Sequence, residues 1–400
     1  MTTPLCLPRL APAADALQAV AAARRDAQHI PRDWRNRLGA VLRDLRAMSG
    51  LALMQVTARG TAVTGAHRFG LTTTRSMSEN DPHQKFFIQL QDCTDFVING
   101  LVLRRGRNAI LLHRCRRFRI LNIDLSDLEG YGIILFDCSE FEVAGIRARN
   151  LLCSAIMALG DTSMGLIHRV DACGGRGFLN CDAAIHLSQC TPAVTVDDVP
   201  ERNHEAYSII EKTKRPRCIE MSGMCLQGNR AQAVYLEGAI ACRISRSLLD
   251  SCNKEGICFD WGTACCELTQ SIVSRNGRRA AMTLAEIRAD FIEQFPLLPD
   301  NSSSVKLPGI SLDNAAFNTV RCNLVVGNYG GAVKLIRACA GNRFHWNLGG
   351  SNTRGSNEHI SFAWFNDLGA GDLLGEFAGI PPCDIGPSYE NIYRRNRILG

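Results

Sequence analysis

Three carboxylic acids recur on one local pattern in the second half of the chain: Glu237 in A-V-Y-L-E-G, Asp260 in G-I-C-F-D-W and Asp313 in G-I-S-L-D-N. If the alternating apolar residues (Val234 and Leu236, Ile257 and Phe259, Ile310 and Leu312) point into a core, the intervening Tyr235, Cys258 and Ser311 point out. The three acids then point out as well. Carboxyls on successive strands of a parallel sheet lie ~4.8 Å apart and repel, so at least one should hold its proton more tightly than usual. That is the condition for a general acid beside a general base or nucleophile, the pair that cleaves a glycosidic bond. Neighbouring acids at ~5 Å would suit retention of configuration, and Glu237 with Asp313, two strands apart at about 9–10 Å, would suit inversion.

Other residues could bind substrate around this column. Tyr235 and Trp261 lie beside the acids, and Lys334 falls outward next to Ser311 in the following A-V-K-L-I-R, with Arg337 near that strand's end. Arg278 and Arg279 have the fork geometry to hold a uronate or sulfate. Asn314 follows Asp313, and His186 faces outward in I-H-L-S. Each has a plainer reading. Outward acids are usually solvated, paired arginines can open a helix, and Asn is an ordinary corner residue, as at Asn328.

The pattern that positions these residues is a repeat. I-Q-L-Q-D-C at Ile88, I-L-L-H-R-C at Ile110 and I-I-L-F-D-C at Ile133 place Cys93, Cys115 and Cys138 at intervals of 22 and 23 residues. A fourth turn starts at Ile156, with Asp161 in the cysteine's place. The repeat blurs from about 160 to 217 and returns at Val234, Ile257, Ile310 and Val333. Each unit holds short alternating strands split by Gly, Asn, Asp or Ser, and none has a helical period. A unit of this size supplies one coil of a right-handed parallel β-helix, an all-β solenoid in which identical inward positions stack from coil to coil. The cysteines read as stacked inward thiols, because no C-x-x-C pair accompanies Cys265-Cys266 to bind zinc. Earlier outward positions (Leu111/His113, Ile134/Phe136, Met157/Leu159) are more apolar and would suit a covering terminal segment.

A solenoid has open ends that need capping. Residues 11–28 and 32–48 are rich in Ala, Leu and Arg, and Trp34, Leu38, Val41, Leu42 and Leu45 share one helical face. They are expected to form an N-terminal α-helical cap. The chain then divides into a cap and lead-in at 1–85, the β-helix at 86–366 and a C-terminal tail at 367–400. Between Ile257 and Ile310 lie about 30 residues more than one coil needs. Thr283-x-x-Glu286 with Leu284, Ile287, Phe291, Ile292 and Phe295 predicts a helical insertion at about 278–306. A second, polar insertion covers roughly 191–217. Long insertions of this kind are commonly functional.

Bulk properties narrow the partners. A net charge of +6 favours a polyanion mildly, and no basic run interleaved with aromatics marks a nucleic-acid groove. No apolar run is long enough to span a membrane, and the first residues lack a signal-peptide pattern. Together with 18 cysteines read as reduced thiols, this predicts a cytoplasmic protein.

The G-I-x-L-x-x-C units with Asn-Gly corners resemble the parallel β-helix repeats of pectin-lyase-like carbohydrate-active proteins. These include pectate lyases, polygalacturonases, mannuronan epimerases and phage depolymerases. The resemblance covers roughly residues 86–350 and is one of repeats. The acids that polygalacturonase-like members carry on one solenoid face are similar to Glu237, Asp260 and Asp313. Their N-T-D and R-I-K motifs are absent, with V-K-L-I-R at 333–337 a distant echo, and no lyase-type calcium cluster is evident. The resemblance implies a polysaccharide partner, acidic by the charge argument. The leading expectation is a glycoside hydrolase. Uronate elimination or C5-epimerisation, with Lys334 or Tyr235 taking the proton, comes next, and a non-catalytic glycan-binding or assembly scaffold is the third. No cofactor is called for, and a divalent cation is compatible.

Overall fold

A computed structural model describes residues 25, 27–55, 61–72, 77–78, 86–175, 183–189, 214–278, 307–336, 339–352 and 391–399. These residues wind into a parallel β-solenoid. Ten strands, from Thr61–Thr64 through Val234–Glu237, Ile257–Asp260 and Ile310–Asp313 to Val333–Ile336, stack in parallel as a front wall. A 21-stranded sheet bends around a corner to make the second and third walls.

The register is the one the repeat demands. Ile88 pairs with Ile110, Ile110 with Ile133, Ile133 with Ile156, and the column runs on through Ile185, Val234, Ile257 and Ile310 to Val333. All nine side chains are buried, and each contributes roughly 1.5–3 kcal/mol by leaving water. On the second wall Phe69, Phe96, Phe118 and Phe141 stack with ring centroids 5.0, 5.1 and 5.5 Å apart. Gly165 ends that column, since a Cβ there would lie 2.0 Å from Phe141 Cζ.

Corners are set by ladders. Buried Cys93, Cys115 and Cys138 stack as free thiols, and the described cysteines are all free. Thr162 occupies the next place, its Oγ accepting from the Cys138 N–H at 3.2 Å. This corrects the assignment to Asp161, because the corner at Gly160 holds one extra residue and Asp161 binds Asp137 instead. Farther along, asparagines take over. Asn323 donates from its amide to the Leu268 carbonyl and to Asn347 Oδ1, and its own Oδ1 accepts from the Ser271 N–H.

Three elements differ from the sequence expectation. Helix α1, Trp34–Arg46, does not close the solenoid's end; it lies along the second wall. Its buried Trp34, Leu38, Leu42 and Leu45 pack on Cys218, Ile240 and Ala241. Arg46 binds Glu142, and Arg35 binds Glu267 at 2.8 Å. Glu142, Leu166, Glu220, Arg243 and Glu267 are successive members of one column, so the two anchors stand four coils, ~19 Å, apart. Eleven residues of helix span ~16.5 Å, and the arginine side chains cover the remainder. Amphipathicity shows that a face is buried but not against what. Residues 392–399, placed in a tail from the sequence, form strands Ile392–Arg394 and Arg397–Leu399 that pair with Arg343–His345 and Leu348–Gly350. Strands within 52–78 likewise pair into both sheets. Most of the segment 11–28 and nearly all of the helical insertion lie outside the described residues. Among the described residues no helix is long and apolar enough to cross a membrane.

Candidate active site

Sheet register decides whether the acids meet. The strand Ile257–Asp260 pairs directly with Ile310–Asp313, although about fifty residues separate them in the sequence. Tyr235, Cys258, Ser311 and Lys334 form one outward column. Glu237 pairs with Asp260, and the same register sets Asp313 beside Asp260 on the next coil. One coil before Glu237, His186 stands beside Tyr235 and Ser188 beside Glu237. The three acids therefore share a wall and a column.

Hydrogen bonding makes the acids unequal. Glu237 is drawn toward the preceding coil, where Ser188 Oγ donates to its Oε2 at 2.5 Å and His186 Nε2 lies 3.3 Å from the same oxygen. The His186 ring also packs on Tyr235, with centroids 4.8 Å apart. Tyr235 reaches forward instead, and its phenol donates to Asp260 Oδ2 at 2.8 Å. The other oxygen of Asp260 accepts from the Trp261 N–H at 2.7 Å. Although outward-facing, Asp260 is only 9% exposed and Asp313 8%. Burial, followed by the neighbouring Asp313 and more weakly Glu237, raises the Asp260 pKa well above the carboxylate range, and the bonds from Tyr235 and Trp261 only partly oppose this. Asp260 is thus a carboxyl that holds its proton more tightly than usual beside a second carboxyl.

Lys334 stands one coil beyond Ser311. Burial lowers its pKa, against the pull of Glu255 and Asp313. Glu255 was not singled out from the sequence. Strict alternation back from Ile257 would turn it inward, but it sits at the corner before the strand, where alternation lapses. It is 7% exposed, its Oε2 has no hydrogen-bond partner, and burial raises its pKa. Ser188 was missed for a different reason, since its role depends on a bond to the next coil. Cys258, between Tyr235 and Ser311, is buried and its thiol is pushed far up by burial and the surrounding acids, which leaves it un-ionised.

The remaining candidates divide. His186, expected to be an exposed lone histidine, is 4% exposed and part of the cluster. Trp261 and Asn314 occupy equivalent left-handed corners with φ of 50° and 49°, and the Asn314 Oδ1 is buried without a partner beside Asp313. Arg278 is exposed at the edge of the described chain, and Arg279 and Arg337 lie outside it. Asn328 belongs to a corner ladder, donating to the Val273 carbonyl and to Asn352. Among the described residues no three His, Cys, Asp or Glu side chains are grouped to hold a metal ion.

No family model and no curated protein matches the sequence. Solved structures with a related path do exist. The A-module of a mannuronan C-5 epimerase from Azotobacter vinelandii has 9% identity and a TM-score of 0.37, over 80% of this chain and 90% of that one. An alginate lyase from Paenibacillus has 11% identity and a TM-score of 0.42, over 78% and 93%. The tailspike protein of Escherichia coli bacteriophage HK620, solved with a pentasaccharide, has 12% identity and a TM-score of 0.43, over 91% of this chain and 62% of that one. Likenesses this weak leave the chemistry to the site itself.

Proposed function

We propose that the chain is a glycoside hydrolase acting on a polysaccharide laid along the front wall, with Asp260 as general acid and Asp313 as nucleophile. The observation that carries this is the pair of buried carboxyls on adjacent coils, Asp260 and Asp313, with burial and that neighbour both raising the Asp260 pKa. Asp260 would protonate the glycosidic oxygen as Asp313 attacks the anomeric carbon. The Asp260 carboxylate would then take a proton from the water that releases the glycosyl-enzyme. Adjacent coils at ~4.8 Å match the ~5–5.5 Å between the carboxyls of retaining enzymes. Glu237, held by Ser188 and His186, would position the sugar on the neighbouring rung. A screen of neutral and acidic glycans with mass analysis, followed by NMR of the first-formed anomer, tests the reading. A retained anomer and inactive Asp260→Asn and Asp313→Asn variants support it; a folded Asp260→Asn protein with unchanged turnover removes it.

Elimination or C5-epimerisation of a uronate is the second reading, and Lys334 is the observation that favours it. A half-buried amine with a lowered pKa is a better base than a surface lysine. Tyr235 is less suited to that part, because its proton is committed to Asp260. Unsaturated products absorbing in the ultraviolet would decide for elimination. Glycan binding without turnover would indicate the scaffold role.

A further inference from the structure

Beyond helix α1 the second wall changes character. The column that holds Glu142 and Glu267 continues through Thr319 to Arg343, and the column two residues on runs Thr269, Arg321, His345, Arg394. At the corner that follows, the Arg395 guanidinium lies 5.7 Å from the centre of the Trp346 ring. Arg397 opens the third wall beside Leu348. Three successive coils, ~10 Å along the axis, therefore gather Arg321, Arg343, Arg394, Arg395 and Arg397 around one indole.

Many outward arginines on the earlier coils have acids. Arg114 binds Asp92, Arg117 binds Asp95, Arg119 binds Glu142 and Arg275 binds Asp250. Here only Arg321 has one, and its partner Glu267 is shared with Arg35 and Arg243. Among the described residues no acid pairs with Arg343, Arg394, Arg395 or Arg397, and all four are exposed. Trp346 is 51% exposed, a large apolar side chain left in water. The His345 pKa is lowered by partial burial and then by Arg394, Arg343 and Arg321. Such a concentration of like charge costs stability unless something anionic answers it.

We infer that this end of the second wall binds an acidic polysaccharide chain, with the guanidinium forks of Arg343, Arg394, Arg395 and Arg397 on its carboxylates or sulfates and Trp346 against a sugar ring. Guanidinium pairs with such groups through two parallel hydrogen bonds. A single indole suits one sugar face, whereas single-stranded nucleic acid is held on several successive aromatic platforms. The identity of the polymer rests on the polysaccharide reading above, but the site is independent of it. It also answers a difficulty in that reading. The front wall gathers the carboxyls of Glu237, Glu255, Asp260 and Asp313, with Lys254 and Lys334 acting on Glu255, so this cluster presents no excess of cations to a polyanion. The arginine wall would hold the chain while the acid column acts.

The test measures binding of galacturonate oligomers to the full chain at low salt. The proteins are wild type, Arg343→Ala/Arg394→Ala/Arg395→Ala, Trp346→Ala and Asp260→Asn. The triple variant should bind about tenfold or more weakly, and wild-type affinity should fall steeply with added salt. Trp346→Ala should weaken binding several-fold. Histidine NMR should show the His345 pKa rising when oligomer is added, a shift that mere loss of folding would not produce. Asp260→Asn should bind normally, which separates this site from the catalytic proposal. A folded triple variant of unchanged affinity overturns the inference. So does tighter binding of single-stranded RNA through the same arginines. End-to-end assembly of the variants with unchanged affinity would assign the arginines instead to guarding the solenoid's open end.

Discussion

The Tyr235 phenol donates to Asp260 Oδ2 across one coil, 2.8 Å away, so the residue that faces solvent beside one acid tempers the ionisation of the next. This bond favours the charged form of Asp260 and opposes the larger effect of burial. Tyr235→Phe should therefore raise the Asp260 pKa further. If Asp260 is the general acid, the alkaline limb of the kcat/KM profile moves to higher pH while the acidic limb stays. A limb that stays in place, or moves down, would show that some other group donates the proton.

Asp260 should also cost the protein stability. Its pKa is raised in the folded state, so folding takes up a proton there. The stabilising contribution is complete below the unfolded value of 3.8 and is lost as pH rises through the folded value. Asp260→Asn keeps one acceptor, for Tyr235, and removes the charge, at the expense of the bond from the Trp261 N–H. It should stabilise the protein by on the order of 1 kcal/mol near neutral pH, with the gain vanishing in acid. Turnover should fall by about 10²–10⁴-fold. Thermal melts across pH beside turnover measurements check both halves.

Much of this arrangement was legible because alternation is a physical constraint. Once Val234, Ile257 and Ile310 must be buried, Glu237, Asp260 and Asp313 have only one face left. What alternation does not carry is the reach of a side chain. That Glu237 leans back to Ser188 while Tyr235 leans forward to Asp260 depends on rotamers and on the coil spacing. Corners also escape it, which hid Glu255. The arginine wall was hidden for another reason: Arg343 and Arg394 lie on adjacent coils, yet the residues between them show no repeat from which to count.

Glu142 anchors α1 and should dominate acid sensitivity. It is almost fully buried. Burial pushes its pKa up, but hydrogen bonds from His168, Arg46 and Arg119 outweigh this and hold the carboxyl well below its ordinary 4.5. Because the folded value is depressed, its contribution is present above pH 4.5 and lost as pH falls through the folded value. Glu142→Gln leaves the partnering cations without their counter-charge and should cost about 3 kcal/mol at neutral pH. The difference from wild type should shrink in acid. Equal losses at every pH in chemical denaturation would mean the ion cluster contributes little.

The asparagine ladder predicts a sharper penalty at Asn323, which is 2% exposed. Its side chain answers a backbone donor at Ser271 and the Leu268 carbonyl, and its amide also reaches Asn347. Asn323→Ala strands these groups inside a dry corner, where unpaired polar groups cost about 1–3 kcal/mol each. Asn323→Asp keeps the acceptor for the Ser271 N–H but loses the amide donor and buries a charge, so it should be at least as damaging at neutral pH. Asn323→Ser is the milder change, since Ser247 and Ser271 already fill such corners, with Ser271 Oγ donating to the Thr269 carbonyl at 2.9 Å. Midpoints in urea should therefore rank wild type above Ser, and Ser above Ala. A Ser variant no better than Ala would mean the ladder's strength comes from the asparagines bonding to one another along the stack.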